Sequence, residues 1–231
     1  MPISERERLR RRVLAAALAR VPQDGWTWSA VEAGAREAGL DAASARRAFP
    51  RGIGEVLAFF LEDADRRMVE ELARRGLGNL RMRERIAAAV RVRLEQEAPH
   101  REAVRRALAL LATPEYALTA WPALARTVDA MWRAAGDQAT DFSWYTKRAL
   151  LAAVYASTLL YWLADDSPGF AETWAFLDRR IDEVMGIQKL RGRADALAAQ
   201  LDAPLKRLLA DLGRRAARDW RPPPRAGDDE R

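Results

Sequence analysis

Apolar residues recur at helical spacing through most of the first 186 positions, and no stretch alternates with the period of a strand. The first predicted helix runs from Ser4 to Arg20, with Leu9, Val13, Leu14, Ala17 and Val21 on one side, and Gly25 breaks it. The second has Ser29 as its N-cap with Glu32 three residues on, a capping-box pattern, and ends at Gly39. The third is capped by Asp41 and stops at Phe49-Pro50. A long fourth helix spans Ile53 to Arg75, gathers Val56, Leu57, Phe60, Leu61, Ala64, Met68 and Leu72, and ends at Gly76 and Gly78. Further helices are predicted over Met82 to Glu97 and Arg101 to Ala112. Pro114 opens the next, which carries Tyr116, Trp121, Leu124, Val128, Met131 and Trp132, and Pro122 within it should bend or interrupt it. The last two run from Ser143 to Asp165 and from Ser167 or Pro168 to Met185. The predicted fold class is all-α.

One of these helices is unlike the others. From Ala149 to Ala164 there are 16 residues without a charge, and Leu150, Leu151, Val154, Tyr155, Leu159, Leu160, Tyr161, Trp162 and Leu163 leave no polar face. A bilayer span needs roughly 20 apolar residues. This run is shorter and is closed by Lys147-Arg148 and Asp165-Asp166. A helix apolar all round belongs in a core, a subunit interface or beside an apolar ligand. The following helix adds Phe170, Trp174, Leu177 and Ile181 on one stripe, and Met131 and Trp132 face the same region. Small residues between the aromatics (Ala152, Ala153, Ala156) leave gaps that a lipid chain can fill. Core packing or dimerisation would bury the same side chains, so the residues alone leave these alternatives open.

Composition removes several functions. There are no cysteines, and the single histidine, His100, follows Pro99 at a helix start where a solvated first-turn residue is expected. Thiolate metal sites and catalytic triads therefore lack material, nothing resembles a nucleophile elbow or phosphate loop, and no cofactor is expected. The N-terminus mixes Glu5 and Glu7 with its arginines and has no long apolar run, so it reads as untargeted and cytosolic.

Charge is unevenly placed. The net charge is +6, and Lys189 to Arg221 holds nine basic residues against four acidic ones. Residues 187–200 read as a linker, 201–220 as an amphipathic helix and 221–231 as a disordered Pro-rich tail. Leu201, Leu205, Leu208, Leu209 and Leu212 form a narrow apolar face, flanked by Lys206, Arg207, Arg214 and Arg215, with Trp220 at the end. Such a helix suits an anionic membrane surface; docking on its own domain or pairing with a copy is the bland alternative.

The blocks GDQATDFSWYTKRALLAAVYASTLLYWL and FAETWAFLDRRI closely resemble the lipid-binding accessory proteins of ubiquinone biosynthesis, the coenzyme Q protein nine family, over about Glu5 to Gly186. The resemblance implies a TetR-like helical bundle, with a helix-turn-helix-like unit over 1–52 and a lipid-binding, dimerising half over 53–186. It implies that an isoprenoid quinone intermediate or phospholipid is bound and presented to a di-iron quinone hydroxylase. It further implies homodimers held peripherally on the inner (cytoplasmic) membrane. The lipid would be lined by Met131, Trp132, Leu151, Val154, Tyr155, Thr158, Leu159, Trp162, Phe170, Trp174 and Leu177. The hydroxylase would meet a patch at Asp129, Met131, Trp132, Asp141, Trp144, Tyr145 and Arg148. The stretch AREAGLDAASARRAFP also resembles the helix-turn-helix of TetR-type regulators, with Gly39 at the turn and Phe49 at the packed aromatic. It departs from that pattern where the usual recognition-helix Tyr is Arg46 and the Lys opening the fourth helix is Gly52. Arg46, Arg47 and Arg51 can touch phosphates, but phosphate contacts carry no sequence information, so sequence-specific DNA binding is not favoured. A ligand-responsive regulator is the alternative function.

Overall fold

A computed structural model describes residues 4–137 and 143–184, with only the backbone of Ala42, Ser143 and Trp144. The terminal linker, amphipathic helix and tail expected after residue 186 lie outside the described residues. Residues Met1–Ile181 form one compact unit. Every described element is helical: α1 Glu5–Asp24, α2 Trp28–Glu37, α3 Ala42–Ala48, α4 Ile53–Arg75, α5 Met82–Glu95, α6 Arg101–Leu111, α7 Pro114–Ala134, α8 Ser143–Ala164 and α9 over 171–184. Single 3-10 turns at Ala98–His100 and Pro168–Phe170 lead into α6 and α9.

The chain ends its helices by local chemistry. Ser4 caps α1 by accepting from Glu7 N, and Gly25, at φ 71°, closes it in a conformation that a side chain would strain. Asp41 caps α3 by accepting from Ser44 N, as the sequence predicts. The second cap differs from expectation. Thr27, not Ser29, precedes α2 and accepts from Ala30 N at 3.2 Å, which places Ser29 one residue inside the helix. Both residue types cap well; the extended backbone at Thr27 decides between them. The fifth helix also stops short of Glu97, because the chain tightens into the 3-10 turn ahead of Pro99.

Pro122 does not interrupt α7, which continues from Pro114 to Ala134. A proline removes one backbone N–H and leaves the carbonyl four residues earlier without its helical partner. Here that carbonyl belongs to Leu118, which is 89% exposed, so water can satisfy it.

The three N-terminal helices pack around Val13, Ala17, Val21, Val31, Ala35 and Phe49. Gly34 lets α2 close on α1: a Cβ there would lie 2.5 Å from the Ala16 carbonyl oxygen. Trp26 ties this unit to the rest, stacking obliquely on Phe60 at 5.1 Å and donating from Nε1 to the Ala103 carbonyl at 2.9 Å. Arg10 lies over the rings of Phe49 and Phe59 and pairs with the buried Glu55 at 2.8 Å. Helices α4 to α8 enclose the second half of the core.

Candidate functional site

Helices α4, α5, α6, α7 and α8 surround two adjoining spaces. The larger has a volume of about 290 Å³ and opens on one side; Leu61, Leu108, Leu111, Ala112, Ala120, Ala123, Leu124, Ala156 and Leu159 give it an apolar wall. Small residues on α7 and α8 create this space, since three alanines stand where larger side chains would fill it. The smaller, about 30 Å³, is largely closed and lies among Phe60, Leu94, Val104, Ala107, Glu97 and Trp162. Leu61, Arg93, Leu108, Leu111, Tyr155 and Leu159 border both.

The shared wall is polar at one place. Arg93 is buried and donates from Nε to Asp65 at 3.1 Å, while its Nη1 stands 3.8 Å from Glu97. The Thr127 hydroxyl reaches Asp65 at 2.8 Å, and Arg67 donates to Glu97 at 2.7 Å. This network carries buried charge that is costly to desolvate and is tolerated because it is paired. Burial opposes the charge on Arg93, but the Asp65 and Glu97 carboxylates and the hydrogen bond to Asp65 act against it, and the pKa is held above the ordinary arginine value. Burial pushes the Tyr155 hydroxyl up as well, with Arg93 acting in the opposite sense, so the phenol stays neutral at physiological pH.

Of the residues predicted to line a lipid, the structure brings Tyr155, Leu159 and Trp162 to these spaces. Met131, Leu151, Val154, Thr158 and Leu177 are buried but do not border either one. Phe170 and Trp174 sit beyond Trp162, with Phe170 5.7 Å from the Trp162 ring and Trp174 under the Arg91 guanidinium. Trp132 donates from Nε1 to the Lys147 carbonyl at 3.3 Å. The residues missed from sequence, above all Arg93, Glu97, Leu108, Ala123 and Thr127, come from α5 and the turn that follows it, α6 and α7. For Arg93 and Glu97 the signal was charge on an apolar stripe, Arg93 lying three residues after Val90 and four before Glu97; Leu108, Ala123 and Thr127 gave none.

The proposed partner patch is organised by charge. Asp129 on α7 accepts two hydrogen bonds from Arg148 on α8 and pairs with Arg133 at 2.6 Å. Lys147 pairs with Asp137 at 3.0 Å and lies over the Trp132 ring. Tyr145 is 69% exposed, whereas Met131 is fully buried and can only support this surface from below. Asp141 and the Trp144 side chain lie outside the described residues. A further exposed apolar pair, Leu118 and Trp121, stands on the first half of α7, the helix that supplies Ala120, Ala123 and Leu124 to the larger space.

The arginines of the helix-turn-helix region face carboxylates of their own chain. Arg46 pairs with Glu32 at 2.9 Å, Arg47 with Asp41 at 3.4 Å, and Arg51 with Glu55 at 3.7 Å. No helix among the described residues is long and apolar enough to cross a membrane.

These features define an all-α protein of TetR-like fold whose second half encloses an apolar space. The crystal structure of the TetR transcriptional regulator from Nitrosomonas europaea ATCC 19718 superposes with a TM-score of 0.65 at 22% identity, covering 77% of this chain and 98% of that one, which establishes the fold. The COQ9 family model matches residues 117–188, the stretch that holds most of α7 and all of α8 and α9. The chain belongs to the COQ9 family. The human "Ubiquinone biosynthesis protein COQ9, mitochondrial" is 37% identical over 188 residues, 78% of this chain and 59% of the human protein. Its Drosophila melanogaster counterpart is 36% identical over 193 residues, 82% of this chain and 59% of that protein. Xenopus laevis COQ9-B is 38% identical over 186 residues, with 78% and 63% covered. The chain thus spans less than two thirds of the length of these relatives.

Proposed function

We propose that this chain is a non-enzymatic lipid-binding protein of ubiquinone biosynthesis. It takes the isoprenoid chain of a quinone intermediate into the apolar space between α4 and α8 and presents that intermediate to a di-iron quinone hydroxylase, which supplies the redox chemistry. The surface around Tyr145, Trp132, Asp129 and Arg148 is the docking site for the enzyme. The chain works as a homodimer bound peripherally to an anionic membrane, with residues 201–220 as the membrane-binding segment.

The observation that carries this reading is the 290 Å³ space with its apolar wall, to which the family-matching stretch contributes Ala120, Ala123, Leu124, Ala156 and Leu159. Each methylene buried there contributes about 0.8 kcal/mol, so an isoprenoid tail gains affinity without polar contacts. The family relatives, named as ubiquinone biosynthesis proteins, support the pathway. The carboxylate pairing of Arg46, Arg47 and Arg51 supports a scaffold role for the helix-turn-helix region over DNA reading. Native mass spectrometry of the purified full chain tests the function: retained isoprenoid quinone or phospholipid is expected, and protein that is always lipid-free would refute it.

A further inference from the structure

The N-terminal unit carries a feature that lipid binding does not use. The outer side of α1 and the end of α3 bound an open groove of about 600 Å³, lined by Glu5, Arg6, Arg8, Leu9, Arg12 and Arg47. Four of these side chains are guanidinium groups and one is a carboxylate, so the groove attracts an anion.

The fold does not need these arginines as it needs their neighbours. Arg10 pairs with the buried Glu55 at 2.8 Å, and Arg11 pairs with Glu7 at 3.0 Å and Asp63 at 3.4 Å. Arg12, by contrast, is exposed and has no hydrogen-bond or ion-pair partner among the described residues. Arg6 comes only within 4.0 Å of Glu55. Arg47 meets Ser44 at 2.8 Å and Asp41 at 3.4 Å, but the Arg47 and Asp41 side chains are 61% and 65% exposed, and exposed pairs hold weakly.

Shape and chemistry narrow the anion. The guanidinium fork matches a phosphate group, which it can hold through two N–H donors at once. The broad face of a bilayer cannot enter a groove, whereas a phosphodiester strand is a ridge of evenly spaced charges. Arg8 and Arg12 lie one helical turn apart on the same side of α1, about 6 Å along its axis, comparable with the separation of successive phosphates. Arg47 adds a third guanidinium from α3. No aromatic or amide side chain lines the groove to read a base edge, and Arg46 is engaged by Glu32 at 2.9 Å.

We propose that this groove binds the phosphodiester backbone of a nucleic acid without regard to sequence, through Arg8, Arg12 and Arg47. The binding is a second function of the chain, independent of the lipid-binding reading, and leaves the helix-turn-helix region without a role in reading bases.

Fluorescence anisotropy of the full chain with two short DNA duplexes of unrelated sequence tests this, with flotation on phosphatidylglycerol vesicles as a second arm. Lys189 to Arg221 holds nine basic residues against four acidic ones and attracts any polyanion, so the measure is the difference between wild type and groove variants. The wild type is expected to bind both duplexes equally. Arg12→Gln should flatten the log–log salt dependence of affinity by about 0.9, and Arg12→Gln combined with Arg47→Gln by about 1.8. A contact worth little at ~1 M salt is then worth about eightfold at ~0.1 M, by the same factor on both sequences. Arg74→Gln removes the same charge from an exposed side chain at the C-terminal end of α4 and should change neither quantity. The substituted arginines are exposed and glutamine is a good helix former, so helicity by circular dichroism should stay at the wild-type level. A wild type that binds neither duplex, or a folded Arg12→Gln protein with wild-type affinity and slope, would overturn the groove. Equal weakening by Arg74→Gln would reduce the attraction to net charge and would also overturn it. Lost vesicle flotation with duplex binding intact would make the groove a bilayer contact, and preference for one duplex would mean base reading; either result overturns the proposal. None of these results would bear on lipid binding.

Discussion

Arg148 donates twice to one carboxylate oxygen of Asp129, from Nε at 2.9 Å and from Nη2 at 2.6 Å, and so fastens the start of α8 to the second half of α7. The Arg148 side chain is mostly buried, so the pair is worth more than a surface ion pair. It fixes the backbone that carries Tyr145 and the carbonyl of Lys147 that receives Trp132. Structural and docking roles can therefore be separated. Asp129→Ala should cost roughly 1–3 kcal/mol in a urea melt and also weaken capture of the hydroxylase. Tyr145→Ala should change stability by no more than about 0.5 kcal/mol yet lower hydroxylase capture by tenfold or more. Wild-type capture by the Tyr145 variant would move the interface elsewhere.

The apolar space makes a different demand. Ala156 lies on its α8 wall, where a phenyl ring would occupy room that a lipid needs. Ala156→Phe should fill existing space instead of overpacking a dense core, so the melting temperature is expected to hold or rise. Bound lipid in native mass spectra should fall by at least about tenfold, as expected when the ~1.4 kcal/mol of roughly two buried methylenes is lost. Full lipid occupancy in that variant would show that lipid binds elsewhere.

How far the sequence reveals this molecule depends on which physical signal a residue emits. Glycines and prolines at helix ends, the Asp41 cap and the apolar stripe of α4 are local signals, and they place α1, α3, α4 and the start of α7 closely. The cap of α2 was ambiguous because Thr27 and Ser29 are both good caps two residues apart. Tolerance of Pro122 depends on solvent reaching the Leu118 carbonyl, which is a tertiary fact. The site divides in the same way. Tyr155, Leu159 and Trp162 were legible because α8 has no polar face. Arg93, Glu97 and Asp65 were not, because a charge in or beside a helix normally signals solvent, and only packing of α4 against α5 and the turn after it turns these three charges inward.

Close packing of the N-terminal unit gives a direct check on the fold. A Cβ on Gly34 would meet the Ala16 carbonyl oxygen at 2.5 Å and its carbon at 2.8 Å, both backbone atoms that cannot swing away. Gly34→Ala should therefore destabilise the chain by about 1–3 kcal/mol, although alanine is the better helix former. Gly78→Ala is the control, since nothing lies within 4 Å of its Cβ position and its φ is not in the left-handed region. There the loss of chain entropy in the unfolded state should leave stability unchanged or raise it by about 0.4–1 kcal/mol. Equal melting of the two variants would mean that α1 and α2 are not in van der Waals contact.

Acid should loosen the junction between α8 and α9 through Asp165. Its carboxylate accepts from Ser167 N at 2.8 Å, Thr173 N at 2.9 Å and the Thr173 hydroxyl at 2.6 Å, and so caps the entry to α9. Burial alone would raise its pKa, but the hydrogen bonds from Thr173 and Ser167 overcome this and hold it far below the ordinary carboxylate value of 3.8. A folded pKa below the unfolded one means that the folded state binds this proton less readily. The stabilisation is thus complete above the ordinary value and drains away as pH falls below it toward the folded pKa. Asp165→Asn keeps one acceptor oxygen but removes the charge, and should cost about 1–3 kcal/mol at pH 7. In urea melts at pH 7, 4 and 3, the gap between wild type and variant should be widest at pH 7 and narrow at pH 3. A gap that stays constant across that range would show that the ionised carboxylate is not what holds the junction.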